Sequence, residues 1–156
     1  MVEFNKIIIV SLCDKWTREC AKLLAQNLDM IFCDTEELIE YELIDKNALK
    51  QIASKEYLQE SERKVLKHIA SFENVVVAIS YDYLSKNIEI LNGSSLVVYL
   101  SLSKIYIKEN ANPINYVAYE SRSSDLKKLA NVCISLRKTE PEYACVKIIE
   151  KLEELL

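Results

Sequence analysis

Apolar residues follow two rhythms along this chain. In Lys6 to Ser11 (KIIIVS), Asn74 to Ser80 (NVVVAIS) and Ser95 to Leu100 (SLVVYL) they fill successive positions and are rich in β-branched side chains. That is the pattern of strands covered on both faces, and Met30 to Cys33 (MIFC) and Asn131 to Leu136 (NVCISL) are shorter runs of the same kind. Between them the spacing changes to three and four. Ala21, Leu24, Ala25 and Leu28 predict a helix over about Lys15 to Leu28. Glu36 to Leu43 and Glu56 to Phe72 predict two more, the second with Leu58, Val65, Leu66, Ile69 and Phe72 on one side. The last helix is predicted from Pro141, whose missing N–H costs nothing in a first turn, to Leu156, with Cys145, Ile148, Ile149 and Leu152 inward.

Strands that alternate with helices and join by right-handed crossovers make a three-layer α/β/α sandwich with a parallel sheet. At 156 residues the chain suits one domain, 1–156, and no linker, repeat or low-complexity tract divides it. Half the residues are apolar and 28% are charged with both signs interspersed, the balance of a soluble globular protein.

The net charge of -4 and the lack of any Lys/Arg run exclude a surface that tracks phosphates of DNA or RNA. The longest apolar runs fall far short of the roughly 20 residues that span a bilayer, and no basic-then-apolar leader opens the chain, so a cytoplasmic location without membrane partners is expected. Five cysteines form no CxxC pair and have one histidine, His68, for company, so no metal site is expected. Cys13 is the cysteine expected in a loop; the others read as small buried hydrophobes. Composition holds one surprise: a single glycine, Gly93, where average usage near 7% would give about 11.

In a sheet of this type the loop after the first strand forms the usual ligand site, because the next helix offers free N–H groups there. Here it reads Ser11-Leu12-Cys13-Asp14-Lys15-Trp16-Thr17-Arg18. The helix after it, and the phrase Met30-Ile31-Phe32-Cys33-Asp34-Thr35-Glu36-Glu37-Leu38-Ile39-Glu40, resemble the shikimate kinase pattern, in which Asp-Thr-Asp follows a short second strand. The resemblance continues at Val75 to Leu84, Ser95 to Leu100 and Ala118 to Ala130. It implies a five-stranded sheet ordered 2-3-1-4-5, a substrate-binding helical segment over about 34–72, a lid over about 101–117, and an adenine-contacting loop before the last helix.

The functional positions implied by the family are mostly replaced. Its phosphate loop reads GxxxxGK[ST]; aligned on Asp34-Thr35, this chain has Ser11 and Trp16 at the glycines, Thr17 at the lysine and Arg18 at the magnesium-binding hydroxyl. Glycine serves there because backbone N–H groups must wrap phosphate with no β-carbon in the way. Trp16 is expected to put an indole in that space, and Asp14 to cap the helix as its N-cap residue. Lys15 and Arg18 are the cations left to rescue an anion site.

On the substrate side Asp34 keeps the first aspartate of the motif and Glu36 replaces the second; these are the family's catalytic positions. Asp34 and Thr35 also suit an N-cap for the helix that follows. Gln59 stands where an arginine would grip the substrate carboxylate, Ser80-Tyr81-Asp82 replaces a Gly-Gly-Gly loop, and Asn112 replaces the arginine of a lid that looks about five residues short. Arg122 aligns with the second substrate arginine. The resemblance therefore predicts the kinase fold with a lost ATP-binding loop: a pseudokinase that binds a protein partner or another small ligand and needs no cofactor. The alternative is a residual ATP-dependent shikimate kinase of the aromatic amino acid pathway, with ATP and magnesium held through Lys15, Arg18 and Arg122. A purely structural or assembly subunit is the third reading.

Overall fold

The computed structural model describes residues 4–44, 55–91, 93 and 95–155. Residues 45–54 of the predicted 34–72 segment lie outside it, as does the side chain of Leu58. Five strands appear where continuous apolar runs predict them: β1 (Lys6–Val10), β2 (Ile31–Asp34), β3 (Val75–Ile79), β4 (Leu96–Ser101) and β5 (Val132–Ser135). They form one parallel sheet in the order β2-β3-β1-β4-β5. Ile7, Ile8, Ile9 and Val10 in the central strand have no exposed surface. A strand sandwiched between two helical layers has no polar face to keep, which is why the run does not alternate.

The helices are α1 (Asp14–Leu28), α2 (Thr35–Ile44), α3 (Lys55–Ser71), α4 (Tyr81–Leu91), α5 (Lys104–Asn110), α6 (Pro113–Val117), α7 (Tyr119–Leu129) and α8 (Pro141–Leu155). α1 packs against α8, while α3 packs on α4 and α4 on α7, giving the two outer layers of an α/β/α sandwich. Two boundaries differ from the periodic pattern. Phe72 lies just past α3 and is partly exposed instead of closing its apolar side. Between β4 and β5 the chain makes three helices, the first two short, because Ser103 and Asn112 each accept a hydrogen bond from the N–H two or three residues on and Pro113 starts a new turn. No helix of the described residues is long and apolar enough to cross a membrane.

With one glycine in the chain, turns that need a left-handed residue use others. Asp29, at φ 55°, ends α1 with its N–H on the carbonyls of Ala25 and Gln26. Asn74, at φ 56°, donates its N–H to Asn5 Oδ1 (2.7 Å) and accepts from Ile31 N–H (2.8 Å), thereby docking β2 on β3. At the same end Lys6 is buried, and its ammonium donates to the carbonyl of Ala70 in the last turn of α3. Burial lowers the Lys6 pKa, with Glu73 opposing.

Asp and Asn tolerate the left-handed region better than other L-residues but still strain there. Asp29→Gly is expected to raise the unfolding free energy by about 0.5–1 kcal/mol in urea titrations. Gly93→Ala, at a position without positive φ and with no atom within 4 Å of an added Cβ, is expected to change it by less than about 0.5 kcal/mol.

Candidate functional site

The turn from β1 into α1 is three residues long, Ser11 to Cys13, because α1 already begins at Asp14. A pair of buried hydroxyls holds it. Ser11 Oγ accepts from Cys13 N–H (3.1 Å) and lies 2.6 Å from Thr17 Oγ1, which donates to the Cys13 carbonyl (3.1 Å). Trp16 and Thr17, which the resemblance aligns with the second glycine and the lysine, lie in the first turn of the helix. One donor of the turn, the Cys13 N–H, is already spent on Ser11.

Two expectations for this loop are corrected. Asp14 is not the N-cap: Cys13 holds that position with no side-chain cap, and Asp14 is the first helical residue. Its carboxylate faces Glu36, Asp82, Arg18 and Arg122 instead of the helix N–H groups. Trp16 does not fill the phosphate space either. Its indole is 3% exposed and turned toward the segment before α8, where Nε1 donates to the Thr139 carbonyl at 2.8 Å. One turn along a helix from position 13, a side chain at 16 points back into the core, which draws the indole away from the strand ends. Cys13 sits in the loop as expected but is buried; burial raises its pKa, with the Trp16 N–H opposing.

The segment after β4 closes on this turn. Asn115, 5% exposed in α6, donates from Nδ2 to the Leu12 carbonyl at 2.8 Å. The Cys13 thiol lies 3.8 Å from the Asn110 carbonyl. Arg122, half-buried in α7, donates from Nη1 to Asn115 Oδ1 (2.6 Å), pairs through Nη2 with Asp82 (3.4 Å), and stacks with its guanidinium 4.6 Å from the centre of the Tyr81 ring. Tyr81 in turn donates to Asp125 at 2.6 Å. Arg122, which the resemblance aligns with a substrate arginine, thus has both Nη1 and Nη2 turned to partners within the chain. Asn115, Asp125 and Thr139 carried no mark in the sequence; each acts through a contact distant in the chain.

Asp34 and Glu36 meet Arg18, each with a carboxylate oxygen 3.7 Å from Nη1. Asp34 also accepts from Glu36 N–H (3.2 Å) just ahead of α2, as an N-cap does. Thr35 is fully buried at the first position of α2, and its Oγ1 has no hydrogen-bond partner. The cavity bounded by Asp14, Thr17, Arg18, Asp34, Glu36 and Ser80 has a volume of about 10 Å³. That is about the space of one bound water.

The remaining predicted positions lie apart or serve the backbone. Lys15 is exposed at the start of α1. Ser80 is the residue before α4, and its Oγ accepts from Tyr83 N–H at 3.4 Å. Gln59 borders a separate groove between α3 and α4 with Arg63 and Lys86. Among the described residues, no group of three or more His, Cys, Asp or Glu side chains is arranged to hold a metal.

Residues 18–153 match the sequence family described as Shikimate kinase. The match starts at Arg18, so the rebuilt turn lies outside it. Among solved structures, the chain is similar to shikimate kinase from Aquifex aeolicus (22% identity, TM-score 0.75, covering 96% of each chain). It is also similar to shikimate kinase from Bacteroides thetaiotaomicron (18%, TM-score 0.76, 96% of this chain and 98% of that one). A gluconokinase from Sinorhizobium meliloti is more distant (16%, TM-score 0.56, 97% and 95%). No curated protein matches.

Burial, then the neighbouring Glu36 and Asp82, push the Asp14 carboxyl up to about 6 against the pull of Arg18 and Arg122. A carboxyl raised on folding holds its proton more tightly in the folded chain. Its contribution to stability is full below the ordinary carboxylate pKa and is lost as pH rises through about 6. Asp14→Asn is expected to raise the unfolding free energy by about 2 kcal/mol near pH 8, and the gain should vanish near pH 4. Denaturant titrations across that range check it.

Proposed function

The chain belongs to the shikimate kinase family, and from that premise we propose that it is a non-catalytic, cytoplasmic member, one that acts by binding a protein partner or small ligand and not by phosphoryl transfer. The observation that carries this reading is the turn after β1, whose Ser11 and Thr17 hydroxyls and Cys13 N–H are bonded to one another where a phosphate loop would hold its ligand. Phosphoryl transfer is catalysed by placing cations around a transferring group. Here Arg18 is drawn onto Asp34 and Glu36, and Arg122 onto Asp82, Asn115 and Tyr81.

ATP and magnesium do not fit the residues present. A phosphate chain needs a cradle of converging N–H groups, whereas the turn after β1 is three residues long and its Cys13 N–H is bonded to Ser11. The carboxylates of Asp14, Asp34, Glu36 and Asp82 outnumber the two arginines among them, so the cleft repels anions. On the adenine side, Trp16 is bonded to Thr139 in the segment before α8, where the family would receive the base. The surviving-kinase reading relies on Lys15, Arg18 and Arg122 as phosphate ligands. Two of those three are spent on internal partners, and Lys15 points to solvent.

The purified protein is expected to release no ADP from ATP, magnesium and shikimate above a no-enzyme control. Millimolar ATP with magnesium is expected to leave the melting temperature unchanged, since a ligand at 100 times its Kd would stabilise by about 2.7 kcal/mol. Saturable stabilisation by ATP, or turnover abolished by Asp34→Ala, would overturn the reading.

A further inference from the structure

At the β2 edge of the sheet, large apolar side chains are left in water. Ile31 (63% exposed), Tyr41 (66%) and Phe72 (37%) border a hollow of about 500 Å³ between β2, α2 and the residues that follow α3. Ile31 pairs in register with Val75, and side chains alternate along a strand, so Ile31, Cys33 and Val75 form one floor, with Leu38 of α2 in the wall. A hollow of this size, mostly apolar and aromatic with a few polar groups, has the dimensions and lining of a site for a small organic molecule.

The charges around it select the sign of that molecule. Every charged residue in its lining is acidic: Asp34, Glu37 and Glu73. The Asp34 side chain is 8% exposed and shared with Arg18. Glu37 and Glu73 are exposed, and among the described residues neither is held in an ion pair. Glu73 acts on the Lys6 ammonium, but that group is buried and donates to the Ala70 carbonyl. Burial first, then Asp34 and Glu37, push the Cys33 thiol in the floor up to about 12. Beyond Tyr41 and Phe72 a second hollow of about 220 Å³ continues between α2 and α3, with Glu42, Lys64 and His68 in its lining, so the excess of acid is confined to the β2 end. An ammonium is attracted both by carboxylates and by aromatic rings, whereas a carboxylate or phosphate is repelled there.

We propose that the β2-edge hollow is a binding site for a small organic cation, an amine whose apolar or aromatic body packs on Ile31, Leu38, Tyr41 and Phe72 while its ammonium faces Glu37 and Glu73. The site is separate from the cleft and does not depend on whether the cleft performs chemistry. Because the hollow is open to solvent, a small probe binds it with modest affinity.

Heteronuclear NMR titration at neutral pH tests this, with phenethylamine as the probe and phenethyl alcohol and hydrocinnamate as neutral and anionic molecules of similar shape. Phenethylamine should shift the amides of Ile31, Leu38, Tyr41 and Phe72 saturably, with a Kd near about 1 mM, and leave those of Asp14 and Asp82 in the cleft in place. The alcohol should bind at least about fivefold more weakly, and hydrocinnamate more weakly still. Glu37→Gln and Glu73→Gln together should bring the amine down to the level of the alcohol. If that double variant loses its fold, which its unliganded spectrum reports, the ranking of the three probes decides. Equal binding of the three overturns the proposal, as do amine shifts centred on the cleft, a folded double variant that binds like the wild type, or the lack of a saturable shift up to about 10 mM amine. So does a wild type that self-associates in sedimentation velocity until Ile31→Lys prevents it, since a second copy would then be the occupant.

Discussion

A single buried amide, that of Asn115 in α6, joins its own helix to the turn after β1 and to α7. Its Nδ2 holds the Leu12 carbonyl in the turn after β1, and its Oδ1 receives the guanidinium of Arg122 from α7. A buried side-chain amide left without partners costs about 1–3 kcal/mol, so each of the three segments is fixed by the other two. Internal hydrogen bonds thereby hold the segment after β4 onto the turn after β1.

The same economy governs the charges. Arg122 has Asp82 at 3.4 Å, Asn115 at 2.6 Å and the face of Tyr81. Asp82 supplies from within the chain the anion that Arg122 meets. Arg18 does likewise for Asp34 and Glu36. Asp14 is left with a less favourable place, near two other carboxylates and largely out of water, which is why its carboxyl resists ionisation.

Strand positions were legible in the sequence because continuous β-branched runs have no competing explanation in so short a chain, and each strand lies within a residue of its expected span. The strand order came from resemblance, since periodicity says nothing about neighbours. What escaped were long-range choices. The early start of α1 depends on Ser11 meeting Thr17, and the direction of the Trp16 indole depends on a carbonyl 123 residues away. Asn115 looked like any polar residue after Asn-Pro, and only tertiary contact reveals its role. Gln59 borders a groove with Arg63 and Lys86, neighbours that its position in the sequence did not reveal.

The shortage of glycine makes physical sense in this light. A phosphate cradle stores strain, because its backbone must hold N–H groups open toward a ligand that is absent half the time. Here the turn passes directly into α1, where the Thr17 N–H donates to the Cys13 carbonyl at 2.9 Å and no residue of the turn has a positive φ. The left-handed positions that remain, Asp29 and Asn74, are at the ends of elements and away from the cleft. What persists in the cleft is polar residue without full partnership: a buried Thr35 hydroxyl with no hydrogen bond, and Asp14 among like charges. Stability alone would favour apolar side chains at both positions, so this cleft is not simply an extension of the core.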